Sequence, residues 1–241
     1  QSLPWQIGGR STDFTKDRWE LYHVAEDFSE AHDLAAQYPD KLRELQALFD
    51  REATRNGVYP LQDGMGAARG RLAELRKRRG SFRYTSNLPS TPPLSVPLLV
   101  SSHRITARLR IPDTGAQGLI VSDGGRYGGY ALYVKDGRLV YDSNFFAESL
   151  KRVVADKPLP AGPVKVVLEF RQSWFLPWPG GRVRLSVNGE EVASKWLLHL
   201  AFPSLLGSFD VGHVGASPVS DGYGPDFDFT GQLEDVIVDL L

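Results

Sequence analysis

The sequence predicts a mainly β protein, an antiparallel two-sheet sandwich over residues 100–241, preceded by a short α/β segment with one or two helices. Three observations carry this reading. Apolar and polar residues alternate at period two through the C-terminal part of the chain. Two dipeptides suited to tight turns interrupt that alternation, and no long helical pattern separates the strands.

Helical spacing comes first along the chain. Over residues 39–56, Leu42, Leu45, Phe49 and Ala53 recur at intervals of three and four and form one stripe. Pro39 suits a first helical turn, and Gly57 suits the position just past the end. A second helix is expected over residues 67–79, with Ala68, Leu72 and Leu75 as its apolar face. Its opposite face carries Arg69, Arg71, Arg76, Lys77, Arg78 and Arg79 against Glu74 alone, and reads as a solvated helix face or a linker. Gly80 ends it. The stretch 88–97 contains Pro89, Pro92, Pro93 and Pro97, which cannot donate to a ladder, so it reads as an extended connector. The expected organisation is therefore a tail over 1–64, a basic helix and Pro-rich linker over 65–99, and the sandwich over 100–241.

Beyond the connector the period changes to two. Ile105, Ala107, Leu109 and Ile111 alternate with Arg104, Thr106, Arg108 and Arg110, which describes a strand with one buried face. Val164, Val166, Leu168 and Phe170 repeat the pattern, as do Val183, Leu185 and Val187, and residues 236–240 read as a closing strand. Asp136-Gly137 and Asn188-Gly189 each sit between alternating runs and tolerate the positive φ values of a type I′ hairpin turn. The cluster Asp123-Gly124-Gly125-Arg126-Tyr127-Gly128-Gly129 has a strand after it where a dinucleotide fingerprint needs a helix. It reads as a turn with close backbone approach.

Composition bounds the function. With 41% hydrophobic residues the chain can bury a core, and a formal net charge of -1 gives no electrostatic reason to expect nucleic acid or an anionic membrane. No apolar run approaches the roughly 20 residues that cross a bilayer. The absence of cysteine excludes disulfides, thiolate metal sites and cysteine nucleophiles, and leaves the compartment open with a cytoplasmic lean. No phosphate-cradling loop, H-E-x-x-H helix or G-x-S-x-G elbow is present. His23, His32, His103, His199 and His213 are scattered without ligand spacing. Asp221, Asp226 and Asp228 could surround a calcium ion, yet a polar loop bonding its own backbone is the simpler reading. No catalytic, cofactor or metal residue is assigned in this chain.

The run Asp17-Arg18-Trp19-Glu20-Leu21-Tyr22-His23-Val24-Ala25-Glu26-Asp27-Phe28-Ser29-Glu30-Ala31-His32-Asp33-Leu34-Ala35 resembles the C-terminal signature of sulfatases. There a W-E-L-Y strand leads through an acidic turn into a last helix, here opened by Tyr38-Pro39-Asp40-Lys41-Leu42. The glycine cluster continuing through Tyr130-Ala131-Leu132-Tyr133-Val134-Lys135 to Tyr141, together with Phe209-Asp210-Val211-Gly212 and Gly215-Ala216-Ser217-Pro218-Val219-Ser220, resembles the concanavalin A-like, jelly-roll sandwich appended to some bacterial arylsulfatases. The resemblance implies a non-catalytic C-terminal portion, because the formylglycine precursor and the calcium ligands of sulfatases have no counterpart here. It implies a sulfatase catalytic domain as partner, with a homo-oligomer as a second possibility. A carbohydrate-binding lectin-like module is the alternative.

The segment Trp174-Phe175-Leu176-Pro177-Trp178-Pro179 concentrates aromatic area in a loop that its prolines keep out of any ladder. Apolar surface left in water costs about 25 cal/mol per Å², so Trp174, Phe175 and Trp178 are interface or ligand candidates. The loop caps its own sandwich, docks on a catalytic domain or twin subunit, or stacks on a sugar, and at least one of Trp174 and Trp178 is expected to contact protein outside its own sheet. Tyr223, in the Gly- and Pro-rich stretch near the C-terminus, is the fourth interface or ligand candidate.

Overall fold

The computed structural model describes residues 14, 17–59, 61, 79–92, 95–173, 180–198, 207–215 and 217–241. The chain divides into two units, Gln1–Arg71 and Leu72–Leu241.

In the first unit, helix α1 spans Pro39–Arg55 with Pro39 in its first turn, Asp40 near its N-terminus and Arg55 in its last turn, charges that complement the helix dipole. Its end is a Schellman turn. Gly57 takes φ 65, its N–H donates to Thr54 O at 3.3 Å, and Val58 N–H donates to Ala53 O at 2.8 Å. The predicted stripe faces inward at Ala53, which is buried, while Phe49 meets Trp19 edge-on at 5.6 Å and Tyr59 at 6.2 Å.

The strand expected around Trp19–Val24 does not form. This stretch is irregular because its backbone bonds go to a carboxylate and not to a ladder: Asp33 Oδ1 accepts from Leu21 N at 3.0 Å and Ala35 N at 2.9 Å, and Oδ2 accepts from Arg18 at 2.8 Å. Those two backbone bonds hold Asp33 below the usual carboxylate range. Asp27 ties the preceding turn in the same way, accepting from His32 N at 2.7 Å. The turn-forming reading of the acidic residues thus holds, while Trp19 stays 45% exposed and touches α1 of its own unit edge-on at Phe49.

The second unit is a sandwich of two antiparallel sheets. Its strands are β1 (Gly80–Tyr84), β2 (His103–Ile111), β3 (Gly118–Gly125), β4 (Gly128–Lys135), β5 (Arg138–Phe145), β6 (Ser149–Pro158), β7 (Gly162–Gln172), β8 (Gly181–Val187), β9 (Glu190–Leu197), β10 (Ser208–Val211) and β11 (Gln232–Leu240). One sheet runs β1-β11-β2-β7-β8-β9 and the other β10-β3-β4-β5-β6. The predicted alternation is realised residue by residue. Ile105 pairs with Leu168 and Leu168 with Leu185, all fully buried, and each such side chain contributes about 1.5–3 kcal/mol of burial. Asp136 and Gly137 take φ 51 and 72, and Asn188 and Gly189 take φ 51 and 91, so both hairpins have the expected primed turns. The glycine cluster forms the β3–β4 hairpin, where a Cβ on Gly129 (φ 138) would lie 2.1 Å from Asp123 O.

Two boundaries differ from the expectation. The sandwich begins before residue 100, because Gly80 opens an edge strand in which Phe82 pairs with Val238 and Tyr84 with Val236 on the core side of β11. The Pro-rich connector is also partly drawn into the sandwich, with Val96, Leu98 and Leu99 buried and Thr91 bridged to Phe209. The basic helix expected over 67–79 lies outside the described residues apart from Arg79, which is not helical.

Candidate functional site

The outer face of the five-stranded sheet is covered by its own chain. Residues 217–229 return across it, and Val219, Tyr223 and Phe227 pack on Leu119, Ala131, Tyr133 and Val140 to make a second apolar cluster. Tyr223 meets Tyr133 with tilted rings at 5.0 Å and stacks on Phe227 at 5.7 Å, accepts a hydrogen bond from Val219 N at 3.1 Å, and has its phenol pushed up to about 12 by burial. Tyr223 is thus buried packing between the covering segment and the sheet. Trp174, Phe175 and Trp178 lie outside the described residues.

Beneath this cover one carboxylate gathers four bonds. Asp142, fully buried, accepts from Arg152 Nε at 2.7 Å and Nη2 at 2.9 Å, from Tyr133 Oη at 3.0 Å, and from the Ser220 hydroxyl. Asp142 in turn raises the Arg152 guanidinium above its ordinary value. Arg152 reaches on to Asp221 at 3.3 Å, and Lys135 Nζ donates to Gly222 O at 2.6 Å, so the segment 220–222 is pinned at three points.

Asn144 does the same at the end of the sheet. Its amide, 5% exposed, donates to Arg126 O at 3.1 Å and Val219 O at 2.8 Å, while its Oδ1 accepts from Ala147 N at 2.9 Å. One side chain thus joins the β3–β4 turn, the covering segment and the β5–β6 turn. Between these three lies an open groove of about 570 Å³. Arg126 forms one wall, Ala147 and Leu150 another, and residues 217–221 the third, with Asn144 among the lining residues. The Arg126 guanidinium is exposed and makes no ion pair among the described residues. Phe146 and Ala147 both hold left-handed backbone, φ 51 and 60, a conformation that costs a non-glycine residue about 1–3 kcal/mol and is retained where surroundings enforce it.

The geometry presents hydrogen-bonding groups and an apolar ledge. Among the described residues no group of three or more His, Asp or Glu side chains could hold a metal ion. Asp228 Oδ1 accepts from Val214 N at 3.1 Å and Asp221 faces Arg152, so these two loop aspartates already have partners. Ser90 Oγ lies 3.3 Å from His213 Nε2, but the nearest carboxylate, Asp210, is 3.8 Å from that same nitrogen. His213 Nδ1 faces the Val211 carbonyl instead, so the three side chains lack the order of an acyl-transfer triad. The sequence reading missed Asn144, whose only signal was an amide side chain at the start of a turn.

No protein-family model matches the chain, and no curated protein does. Among solved structures, the Ruminococcus gnavus IT-sialidase CBM40 bound to α2,6-sialyllactose is 17% identical with a TM-score of 0.44, over 67% of this chain and 95% of that one. Domains LG4-5 of the mouse laminin α1 chain are 14% identical with a TM-score of 0.44, over 67% and 42%. A heptameric SAP-like pentraxin from Limulus polyphemus is 16% identical with a TM-score of 0.40, over 67% and 70%. At these identities and scores the likenesses assign no ligand, residue role or activity to this chain.

Proposed function

We propose that the sandwich is a non-catalytic carbohydrate-binding module whose ligand lies in the groove between Arg126, Leu150 and residues 217–221. The observation that carries this is the groove's construction. Its walls are fixed in advance by Asn144 and Asp142, so little ordering entropy opposes binding. A sugar presents hydroxyls at its edge and C–H groups on its faces. Arg126, Ser217, Ser220 and Asp221 supply planar or hydroxyl partners for the first, and Leu150, Pro218 and Ala147 supply an apolar ledge for the second. Asp142 and Arg152 satisfy one another beneath the groove, while the exposed Arg126 guanidinium, which makes no ion pair among the described residues, is left for ligand.

A glycan array probed with the full chain, followed by calorimetry on the strongest uncharged hit, tests this. Arg126→Ala, at an exposed position, is expected to weaken that hit at least tenfold with no change in melting temperature. An array without binders, or a hit indifferent to Arg126→Ala and Leu150→Ala, overturns the proposal.

A second reading concerns the tail. The resemblance of residues 17–42 to the sulfatase C-terminus supports a parent arylsulfatase, with the module bracing its catalytic domain or lining the substrate entrance, in a single polypeptide or an oligomer. The capping carboxylates Asp27 and Asp33 give the acidic turn of that resemblance a physical role. The chain alone is expected not to hydrolyse an aryl sulfate. A formylglycine motif in sequence upstream of Gln1 supports this reading, and a different catalytic motif there removes it.

A further inference from the structure

The outer face of the six-stranded sheet, opposite the groove, shows a repeated electrostatic unit in which one carboxylate is shared by two arginines. Glu169 accepts from Arg104 at 2.7 Å and from Arg171 at 3.0 Å. Asp235 accepts from Arg83 at 2.6 Å and Arg108 at 2.7 Å. Glu191 lies 3.6 Å from Arg182 and 3.7 Å from Arg184. Each unit therefore carries one net positive charge. Lys165 and Asp239 also line the shallow groove of about 630 Å³ that crosses this face and balance each other. The formal charge of the whole chain is -1, so the sheet face is locally basic on a protein that is slightly acidic overall.

The shared carboxylates matter for recognition as well as for charge. They hold the guanidinium planes in place while leaving the arginines exposed, Arg171 by 55%, Arg108 by 47% and Arg184 by 47% of their side chains. A guanidinium held this way keeps free N–H donors for a bidentate contact to a second anion. Neighbouring strands lie about 4.8 Å apart and same-face residues about 6.8 Å apart along a strand. The surplus charges consequently form a sparse, nearly flat grid, and Thr106 and Ser186 place hydroxyls between them.

We infer that this face binds a linear acidic polysaccharide bearing sulfate or carboxylate groups along its length. A sparse grid with interleaved hydroxyls matches anions spaced by sugar rings. Duplex DNA presents about one charge per 1.7 Å of axis and is read by elements that enter a groove, which a flat sheet does not supply. Single-stranded nucleic acid is held by successive aromatic platforms, and among the described residues only Trp196, across from Arg182 and 62% exposed, borders this face.

The test measures binding of the full chain to dextran sulfate, to unmodified dextran and to a single-stranded oligonucleotide of equal charge, at low and at physiological salt. Dextran sulfate is expected to bind with strong salt dependence and dextran not to bind. The Arg104→Gln/Arg171→Gln/Arg184→Gln triple variant is expected to weaken binding at least tenfold and to flatten the salt slope. Glu169→Gln, which frees two guanidiniums from their shared counterion, is expected to tighten binding severalfold, a gain that misfolding cannot mimic. Equal binding of dextran and dextran sulfate, an unaffected triple variant, or weaker binding by Glu169→Gln overturns the inference. Tighter binding of the oligonucleotide than of dextran sulfate overturns the assignment to a polysaccharide.

Discussion

Replacing Asp142 by alanine removes the acceptor on which the covering segment depends. The carboxylate is fully buried and takes two bonds from Arg152 and one each from Tyr133 and Ser220. Breaking a buried ion pair from one side costs about 3–5 kcal/mol, because the remaining partner keeps its desolvation without compensation. Arg152 has 39% of its side chain exposed and recovers some hydration, so the lower end applies. The expected loss is about 3 kcal/mol, or roughly 6–12 °C in Tm for a domain of this size. Urea unfolding followed by tryptophan fluorescence measures it. In the double variant with Arg152→Met the losses are expected to fall short of additivity by at least about 1 kcal/mol, since both changes remove the same pair. An Asp142→Ala variant within about 0.5 kcal/mol of the parent, or strict additivity, refutes the reasoning and with it the idea that Asp142 anchors residues 220–222.

Three further outcomes follow from the buried groups. His103, stacked on Phe170 and hydrogen-bonded to Ser101 O, is lowered to about 4 by burial. The fold holds it neutral while the unfolded chain takes up a proton, so stability is lost as pH falls from about 6.5 through about 4, by on the order of 3 kcal/mol. His103→Gln should lack that slope in urea titrations at a series of pH values, and identical slopes for variant and parent contradict this. Asp123 is buried with Oδ1 unpartnered, and burial first, then Asp210, raises it well above the usual carboxylate range. Here the fold keeps a proton that the unfolded chain releases, so stability falls as pH rises from about 4 through the folded value. Asp123→Asn should be more stable than the parent at neutral pH by the same assay, and a less stable variant speaks against a protonated Asp123. Gly129→Ala puts a Cβ against Asp123 O at φ 138 and should cost at least about 2 kcal/mol, measured as a drop in Tm; an unchanged Tm contradicts that backbone geometry.

Much of the sandwich could be read in advance because its signals are local. The alternation at Ile105, Val166 and Val183 and the two hairpin dipeptides each express a preference of a few adjacent residues. What failed to show depends on distant partners. β1 is five residues long and follows a basic run, and it becomes a strand only because β11, some 150 residues later in register, offers it a ladder. Conversely Trp19–Val24 has strand-forming residues but no ladder partner, and Asp33 takes up its backbone instead. The candidate groove was hidden for the same reason, since Asn144 acts through Arg126 and Val219, each far from it in sequence. The basic sheet face was half visible: Arg104, Arg108 and Arg110 appear as the polar side of one strand. Their counterions and companion arginines come from β7, β8, β9 and β11, and a net charge near zero conceals the local excess.

Amide chemical-shift mapping of the full chain with the strongest uncharged array ligand separates the groove from the basic sheet face, which is expected to draw only sulfated or carboxylated glycans. Saturable shifts are expected at Arg126, Asn144, Ala147, Leu150 and residues 217–221, with β7 and β8 unmoved. Shifts confined to the six-stranded sheet, or scattered without saturation, contradict it.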